Sequence, residues 1–355
     1  MTTARRRDRR VYLRSHPVMF ALLAVTRRVA VRRLGGTLLV HGTDACRQAL
    51  TRLPLDRLAA GTTGGAAREL TSAGLLFDQD GLAHRSTRRS LADDLDSAGV
   101  ARLRPVWREV LDRRLAPLHR GGTVDLVDVA AEVAGATAGA LLRLAADPPR
   151  VAAAARAAGA AAARDHLPRI RLRRNDRSAE RAMARLTALL GTGDDSGLAV
   201  ILVLAAVNTT VSALPRAVAW CADAGLWSFA DRDALVNELL RVTAPTPLLP
   251  RVAAADGMLG ECPVRAGDRL LIVARHALGA HHADPDCARP APPQVTQLVF
   301  GAGPHACPGA GIARAQLADL LRVLAPYRPE VVRARADRRS ALPGWASLTI
   351  RATVR

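Results

Sequence analysis

Apolar and polar positions divide this chain into distinct styles. From about residue 84 to 190 apolar residues return at helical spacing, with breaks at Gly121–Gly122, Pro148–Pro149 and Gly191–Gly193, which predicts helix after helix. The next stretch, DDSGLAVILVLAAVNTTVSALPRAVAW, opens on cap-type residues and then runs apolar without interruption from Leu198 to Val207. A helix apolar on every side belongs in the middle of a globule. Asn208, Thr209 and Thr210 follow mid-helix, where polar groups need partners or a cavity. A threonine bonding back to the carbonyl of Ala205 and a functional cavity are both open readings of them. DRDALVNELLRVTAP (231–245) predicts another helix, with Glu238 and Arg241 on one face. Proline breaks, short β-like runs and turns come next, and a proline-rich stretch (283–293) leads to FGAGPHACPG (300–309) and a further helix.

The first sixty residues read as a basic arm without fixed structure (1–15), a first helix, a strand at 37–42 and a helix through Leu50. Residues 60–82 are rich in glycine and small polar residues and read as a mobile loop. The alanine run VAAAARAAGAAAAR (151–164) reads as an exposed or peripheral helix. These elements predict one domain over 1–355, mainly α with a small β region, and no internal repeats.

Composition narrows the function. All 51 basic residues are arginine and the net charge is +19, a balance that would suit nucleic acid or anionic lipid. The arginines are spread along the chain without the interleaved aromatics that single strands stack on, so nucleic acid is not expected. Without lysine there is no Schiff-base chemistry. The five cysteines are odd in number, scattered and without a CxxC pair, which predicts neither a zinc ribbon nor a disulfide framework and fits a reducing cytoplasm. RRVYLR followed by the apolar run Val18 to Val25 has the outline of a twin-arginine signal, but more arginines follow at once and no small-residue cleavage site does. Export and a membrane span are therefore not expected.

Cys307 is the focus of candidate chemistry. It ends a glycine-rich loop, and Pro308 suits a first helical position, so the sulfur would face the positive end of a helix with its free N–H groups. Both features would lower the thiol pKa. As a nucleophile Cys307 would need a base, and His305, two residues away, is poorly placed. As a zinc ligand it could recruit Cys262, His276, His281, His282 and Cys287, whose spacing matches no usual tetrahedral pattern. As a haem ligand it would account for the glycines, the phenylalanine and the histidine together.

FGAGPHACPG resembles the haem-ligand signature F-G-x-G-x-H-x-C-x-G of the bacterial cytochromes P450, with Phe300, Gly301, Gly303, His305, Cys307 and Gly309 at its fixed positions. Glu238 and Arg241 resemble the family's E-x-x-R pair, HRSTR (84–88) its H-x-x-x-R helix, and the all-apolar run its long central helix. The similarity runs from about residue 10 onward. It implies a cytochrome P450 fold, haem b with Cys307 as iron ligand, and Phe300 packed near the sulfur. It also implies propionate partners among His84, Arg88, Arg251 and His305, a buried Glu238–Arg241 pair, and a substrate pocket near Ala206, Val207, Leu248, Leu249 and the 60–82 loop. The implied activity is monooxygenation of a hydrophobic small molecule, such as a natural product in a tailoring step, with a ferredoxin-type partner as electron donor. Oxidative coupling, peroxide-driven oxidation and a non-catalytic haem protein are the alternatives.

The chain departs from the family pattern in four places. Asn208 stands where an acid normally precedes Thr209, and an amide cannot give up and regain a proton near neutral pH. On this reading an aspartate at 208 is expected to raise coupled turnover. Ala206 replaces the usual glycine. Cys287 and Ala288 stand where an arginine and a phenylalanine normally complete the glutamate–arginine pair, leaving Arg289 as a substitute. The chain is also shorter than the family pattern, mostly between His84 and Thr209 and again between Thr209 and Glu238; the first deficit implies shortened lid helices and an open pocket for a large substrate or a protein partner that covers it.

Overall fold

In the computed structural model the amino terminus is a helix, α1 (Thr3–Ser15), and not the loose arm its charge predicts. Ala4, Asp8, Val11 and Tyr12 recur at helical spacing and are buried, so one face packs inward while most arginines stay outside. The structure describes residues 1–71, 76–166, 178–191 and 196–353. α1 docks through a buried ion pair: Asp8 accepts from Arg216 at 2.6 and 2.8 Å and from Arg275 at 3.1 Å. Arg216 also donates to the Tyr12 hydroxyl at 2.6 Å, which in turn donates to the Thr243 carbonyl at 2.6 Å. A buried guanidinium is tolerable only when paired in this way.

After α1 come α2 (Pro17–Thr26), β1 (Val31–Leu34), β2 (Thr37–Val40) and α3 (Thr43–Thr51). The glycine-rich stretch expected to be a loop contains α4 (Thr63–Thr71); residues 72–75 lie outside the described residues. Glycine is required within α4, because a Cβ at Gly64 would collide with the carbonyl oxygen of Arg57. Next are α5 (Gly81–Ser90), α6 (Ala92–Leu95), α7 (Ser97–Leu115), β3 (Thr123–Asp125), α8 (Leu126–Leu141), α9 (Pro148–His166) and α10 (Ser178–Leu190). The alanine run lies in α9 and is not peripheral. Val151, Ala152, Ala154, Ala155, Ala158 and Ala161 are buried, and the helix packs on α8, α10 and α11. Small side chains let the backbones approach closely. Gly191 ends α10 at φ +91°, as the expected break requires, and Thr192–Gly193 lie outside the described residues.

The all-apolar run forms α11 (Ser196–Ala224), which packs against α8, α9, α1 and α12 (Asp233–Thr243). By length and composition α11 could cross a bilayer, unlike the expectation from its sequence, and 44% of its most apolar window is buried inside the fold. The remaining elements are β4 (Leu249–Val252), β5 (Gly257–Leu259), β6 (Cys262–Val264), β7 (Arg269–Ile272), α13 (Ala274–Ala277), α14 (Pro293–Thr296), α15 (Ala310–Leu324), β8 (Glu330–Ala336) and β9 (Trp345–Arg351). A four-stranded sheet has the order β1-β2-β7-β4, with β2 parallel to β7 and Leu38 opposite Leu270. A three-stranded sheet has the order β3-β9-β8, and β5 and β6 form a hairpin. Helices and the three-stranded sheet share the main apolar core, while the four-stranded sheet has a smaller one around Leu38, Val40, Leu270 and Ile272. The molecule is thus mainly α with a small β region.

Candidate functional site

Cys307 is presented by a tight loop before α15. Its N–H donates to the Phe300 carbonyl at 2.7 Å, closing a ring of backbone that Gly301 and Gly303 complete at φ +78° and +72°. Only glycine adopts those values without strain. α15 begins at Ala310 with Gly309 as its cap, two residues later than Pro308 would set it. Cys307 is exposed, yet protein crowds it closely enough that burial pushes its thiol up rather than down. The Gly309 N–H, Arg88 and Arg314 oppose that shift. Arg314 lies 4.5 Å above the Phe300 ring and donates to Asn237 at 3.0 Å, so cation and ring cover one side of the loop.

Cations gather beside this loop. His84 stacks on His305 with ring centroids 3.8 Å apart, and Arg88 donates to the Ala306 carbonyl at 2.7 Å. Arg251, on β4, donates to Thr63 at 3.1 Å. Arg57 belongs to the same cluster, a residue that no sequence motif marks. It arrives because Leu55 bridges Ala253 and the Asp56 N–H donates to the Val252 carbonyl at 2.9 Å, which lays residues 55–57 along β4. The Nε atoms of Arg57 and Arg251 are buried without a hydrogen-bond partner, and His305 Nε2 reaches only Asp80, at 3.5 Å. Burial and the neighbouring Arg57 pull the Arg251 guanidinium down to about 10. Burial, Arg57 and His84 pull His305 down to about 4, against Asp80. Among the contacts of the described residues, three arginines and two histidines thus meet one exposed aspartate, Asp80, and the cluster is short of negative charge. It fits an anionic group with several acceptor oxygens, as the two carboxylates of haem would supply.

On α11, Asn208 and Thr209 point to different sides. The Asn208 amide donates to the carbonyls of Ala155 on α9 at 3.2 Å and Leu204 at 2.9 Å. Thr209 donates back to the Ala205 carbonyl at 2.8 Å. Ala206 is exposed although α11 is central, so open space runs along that side of the helix. Thr209 lies about 60° around the helix from Ala206, whereas Asn208 lies about 200° away, nearly opposite. Asn208 instead borders a cavity of about 270 Å³ between α9, α11 and the β8–β9 turn, shared with Arg156, Asp337 and Trp345. No residue of the 300–309 loop lines that cavity. Val207, expected at the pocket, is fully buried in the main core. Leu248 and Leu249 are half-buried and pack on α2 and the four-stranded sheet. Of the four expected pocket residues Ala206 is thus exposed, Leu248 and Leu249 are half-buried and Val207 is buried.

Glu238 and Arg241 are buried and form a two-pronged pair at 2.6 and 2.9 Å. Arg241 also donates to the carbonyls of Leu278, Ala283 and Asp284. Glu238 accepts from the N–H groups of Asp286 at 3.2 Å and Ala291 at 3.0 Å. Arg289 does not complete this pair: its side chain is 90% exposed and meets only Asp286, at 3.6 Å. Two backbone N–H groups take the place of a third side chain. The histidines considered for zinc lie elsewhere, in a row with His41: His41 to His276 at 2.9 Å, His276 against His281, and His281 to His282 at 3.0 Å. Among the described residues no three His, Cys, Asp or Glu side chains converge to hold a metal.

Residues 232–340 match the family model described as Cytochrome P450. Over 87 residues the chain is 40% identical to the mycinamicin VIII C21 methyl hydroxylase of Micromonospora griseorubida, covering 23% of this chain and 22% of that one. Over 107 residues it is 34% identical to the cytochrome P-450 monooxygenase DoxA of Streptomyces peucetius subsp. caesius, covering 28% and 26%. The matched segments therefore span about a quarter of those relatives. Across the chain, the structure of P450 OxyD, involved in the biosynthesis of vancomycin-type antibiotics, superposes with a TM-score of 0.71 at 20% identity, covering 97% of this chain and 98% of that one. The chain has the cytochrome P450 fold over nearly all its length, and its residues 232–340, which carry Glu238, Arg241 and Cys307, are similar in sequence to the cytochrome P450 family.

Proposed function

We propose that the protein is a haem-thiolate monooxygenase that oxidises a hydrophobic small molecule in a natural-product tailoring step, with electrons from a ferredoxin-type partner. One observation carries the reading: the Cys307 loop lies against a cationic cluster whose buried donors, Arg57 Nε and Arg251 Nε, have no partner. Cys307 would ligate the iron of haem b, and Arg57, Arg88, Arg251, His84 and His305 would hold its carboxylates. Thiolate-ligated haem iron supplies electron push that favours O–O cleavage. Phe300 and Arg314 would lie beside the ligand loop and cover one side of it. Thr209 spends its proton on the Ala205 carbonyl, which leaves its oxygen free to accept one hydrogen bond on the open side of α11. The similarity of one segment to the mycinamicin VIII C21 methyl hydroxylase supports the tailoring role. The experiment is the carbon monoxide spectrum of the reduced protein. The band of thiolate-ligated haem is expected, and Cys307→Ala should abolish it; a purified protein that retains no haem overturns the reading.

The position of Asn208 favours a second reading within the same cofactor class, oxidative coupling or peroxide-driven oxidation. The amide of Asn208 is committed to the carbonyls of Ala155 on α9 and Leu204 on α11 itself, so this residue moves no proton toward the Ala206 side of α11. Product formation with peroxide alone, and none with a ferredoxin, its reductase and NADPH, would select it.

A further inference from the structure

One helix face near the amino terminus has no partner among the described residues. α2 turns Leu23 inward against Leu39 and Val273, which seats it on the four-stranded sheet. Val18, Leu22 and Val25 fall on its outer side at i, i+4 and i+7, and are 81%, 53% and 75% exposed. Leu13 before them, and Val29 and Leu34 after them, are exposed as well. Single apolar residues are ordinary on any surface, but an aliphatic face in helical register is not.

The charge around this face is of one sign. Between Asp8 and Asp44 the sequence has seven arginines and no acidic residue. Arg14, Arg27, Arg28 and Arg32 are exposed. Of the seven, Arg33 pairs with Asp268 at 2.8 Å, and no other is in an ion pair among the described residues. Arginines on the edge strand β1 would also discourage edge-to-edge pairing, but that role leaves the aliphatic face of α2 unexplained.

We propose that α2 and its flanking arginines form a docking surface for an anionic lipid bilayer. Val18, Leu22 and Val25 enter the boundary between headgroups and acyl chains, and Arg14, Arg27, Arg28 and Arg32 meet lipid phosphates. Ten residues are too few to span a bilayer, so α2 lies along the surface. A second copy of the chain would satisfy the aliphatic face but would set one arginine cluster against another. A nucleic acid would satisfy the arginines and leave the aliphatic face in water. A bilayer of acidic lipids matches both features.

Sedimentation of the full-length protein with vesicles tests this. Binding to phosphatidylglycerol vesicles, and little to phosphatidylcholine vesicles, is expected. The triple variant Val18→Ser/Leu22→Ser/Val25→Ser should bind phosphatidylglycerol at least about tenfold more weakly, with its thermal melt unchanged because the three positions are exposed. Equal binding of the variant would show that net charge alone holds the protein to vesicles, and overturns the proposal. So does absence of binding by the unaltered chain, or a dimer in sedimentation velocity that the triple variant abolishes without any vesicle binding.

Discussion

At the scale of single residues, the contact between Gly159 and Asn208 decides what α11 can do. Gly159 is the one glycine in an alanine-rich helix, and a Cβ there would come within 2.7 to 3.0 Å of the Asn208 amide. Helix propensity alone would have alanine stabilise an interior helical site by about 1 kcal/mol. We expect Gly159→Ala to lower the melting temperature instead, because the amide it displaces loses its bonds to Ala155 and Leu204. Asn208→Ala in the same chain should restore the loss, and a double-mutant cycle on melting temperatures checks the coupling. The same geometry revises the expectation that an aspartate at 208 would raise coupled turnover. A carboxylate there would face two carbonyl oxygens with no proton to give. Asn208→Asp should destabilise by about 1–3 kcal/mol, more at neutral pH than at pH 4 where the acid is protonated. Urea unfolding at the two pH values would show it, and unchanged stability would disprove the placement of the amide. Arg57 is the residue whose loss should be felt on the other side. Arg57→Gln should speed haem loss from the loaded protein to an apomyoglobin trap, whereas Arg85→Gln, one turn before Arg89 on α5, should not.

At the scale of elements, the Glu238–Arg241 pair joins α12 to the segment 278–291 that leads to the ligand loop. Its donors and acceptors are nearly all committed, to each other, to three carbonyls and to two N–H groups. Removing one partner leaves a buried charge alone, so Glu238→Gln should cost about 3–5 kcal/mol or prevent folding. Arg289→Ala should fall within about 0.5 kcal/mol of the parent. A large loss on Arg289→Ala in chemical denaturation would mean that this exposed side chain does complete the pair. These elements also show what the sequence could disclose. The tight glycine turn at Cys307 was legible because its residues lie within ten contiguous positions. Arg57 was not, because only strand pairing across nearly two hundred residues brings it beside Arg251. For α1 the composition points away from a docked helix because its arginines dominate, although Ala4, Asp8, Val11 and Tyr12 carry the helical period. α9 was misread because an alanine run looks alike on its buried and exposed faces, and only its neighbours distinguish them.

At the scale of the whole molecule, the mainly helical fold followed from apolar periodicity and the central place of α11 from its uninterrupted apolar run, while the row of four histidines followed from neither. His41 stands in the first sheet strand region and the other three follow it by more than two hundred residues, so parallel pairing of β2 with β7 is what assembles them. Their joint titration makes a prediction for the entire domain. Burial, with His281 and His41 alongside, pulls His276 down to about 2. Burial pulls His281 down to about 3 and His41 to about 4, with Arg27 adding to both. All three start from an ordinary value of 6.5. In the folded chain they stay neutral under conditions where the unfolded chain takes up protons. Stability contributed by these groups is therefore full above pH 6.5 and is lost as pH falls below it. Each group protonated only in the unfolded chain contributes a slope of about 1.4 kcal/mol per pH unit. Between pH 6.5 and 5 the sum is on the order of a few kcal/mol, a large share of the 5–15 kcal/mol typical of a domain. The urea midpoint should thus fall steeply from pH 7 to pH 5, before carboxylates begin to titrate. Replacing His276 by Asn removes one titrating group and should flatten the slope over that interval, even if the variant is less stable at pH 7. A midpoint that stays level from pH 7 to 5 would mean that water or counter-anions reach the row and let it charge in place.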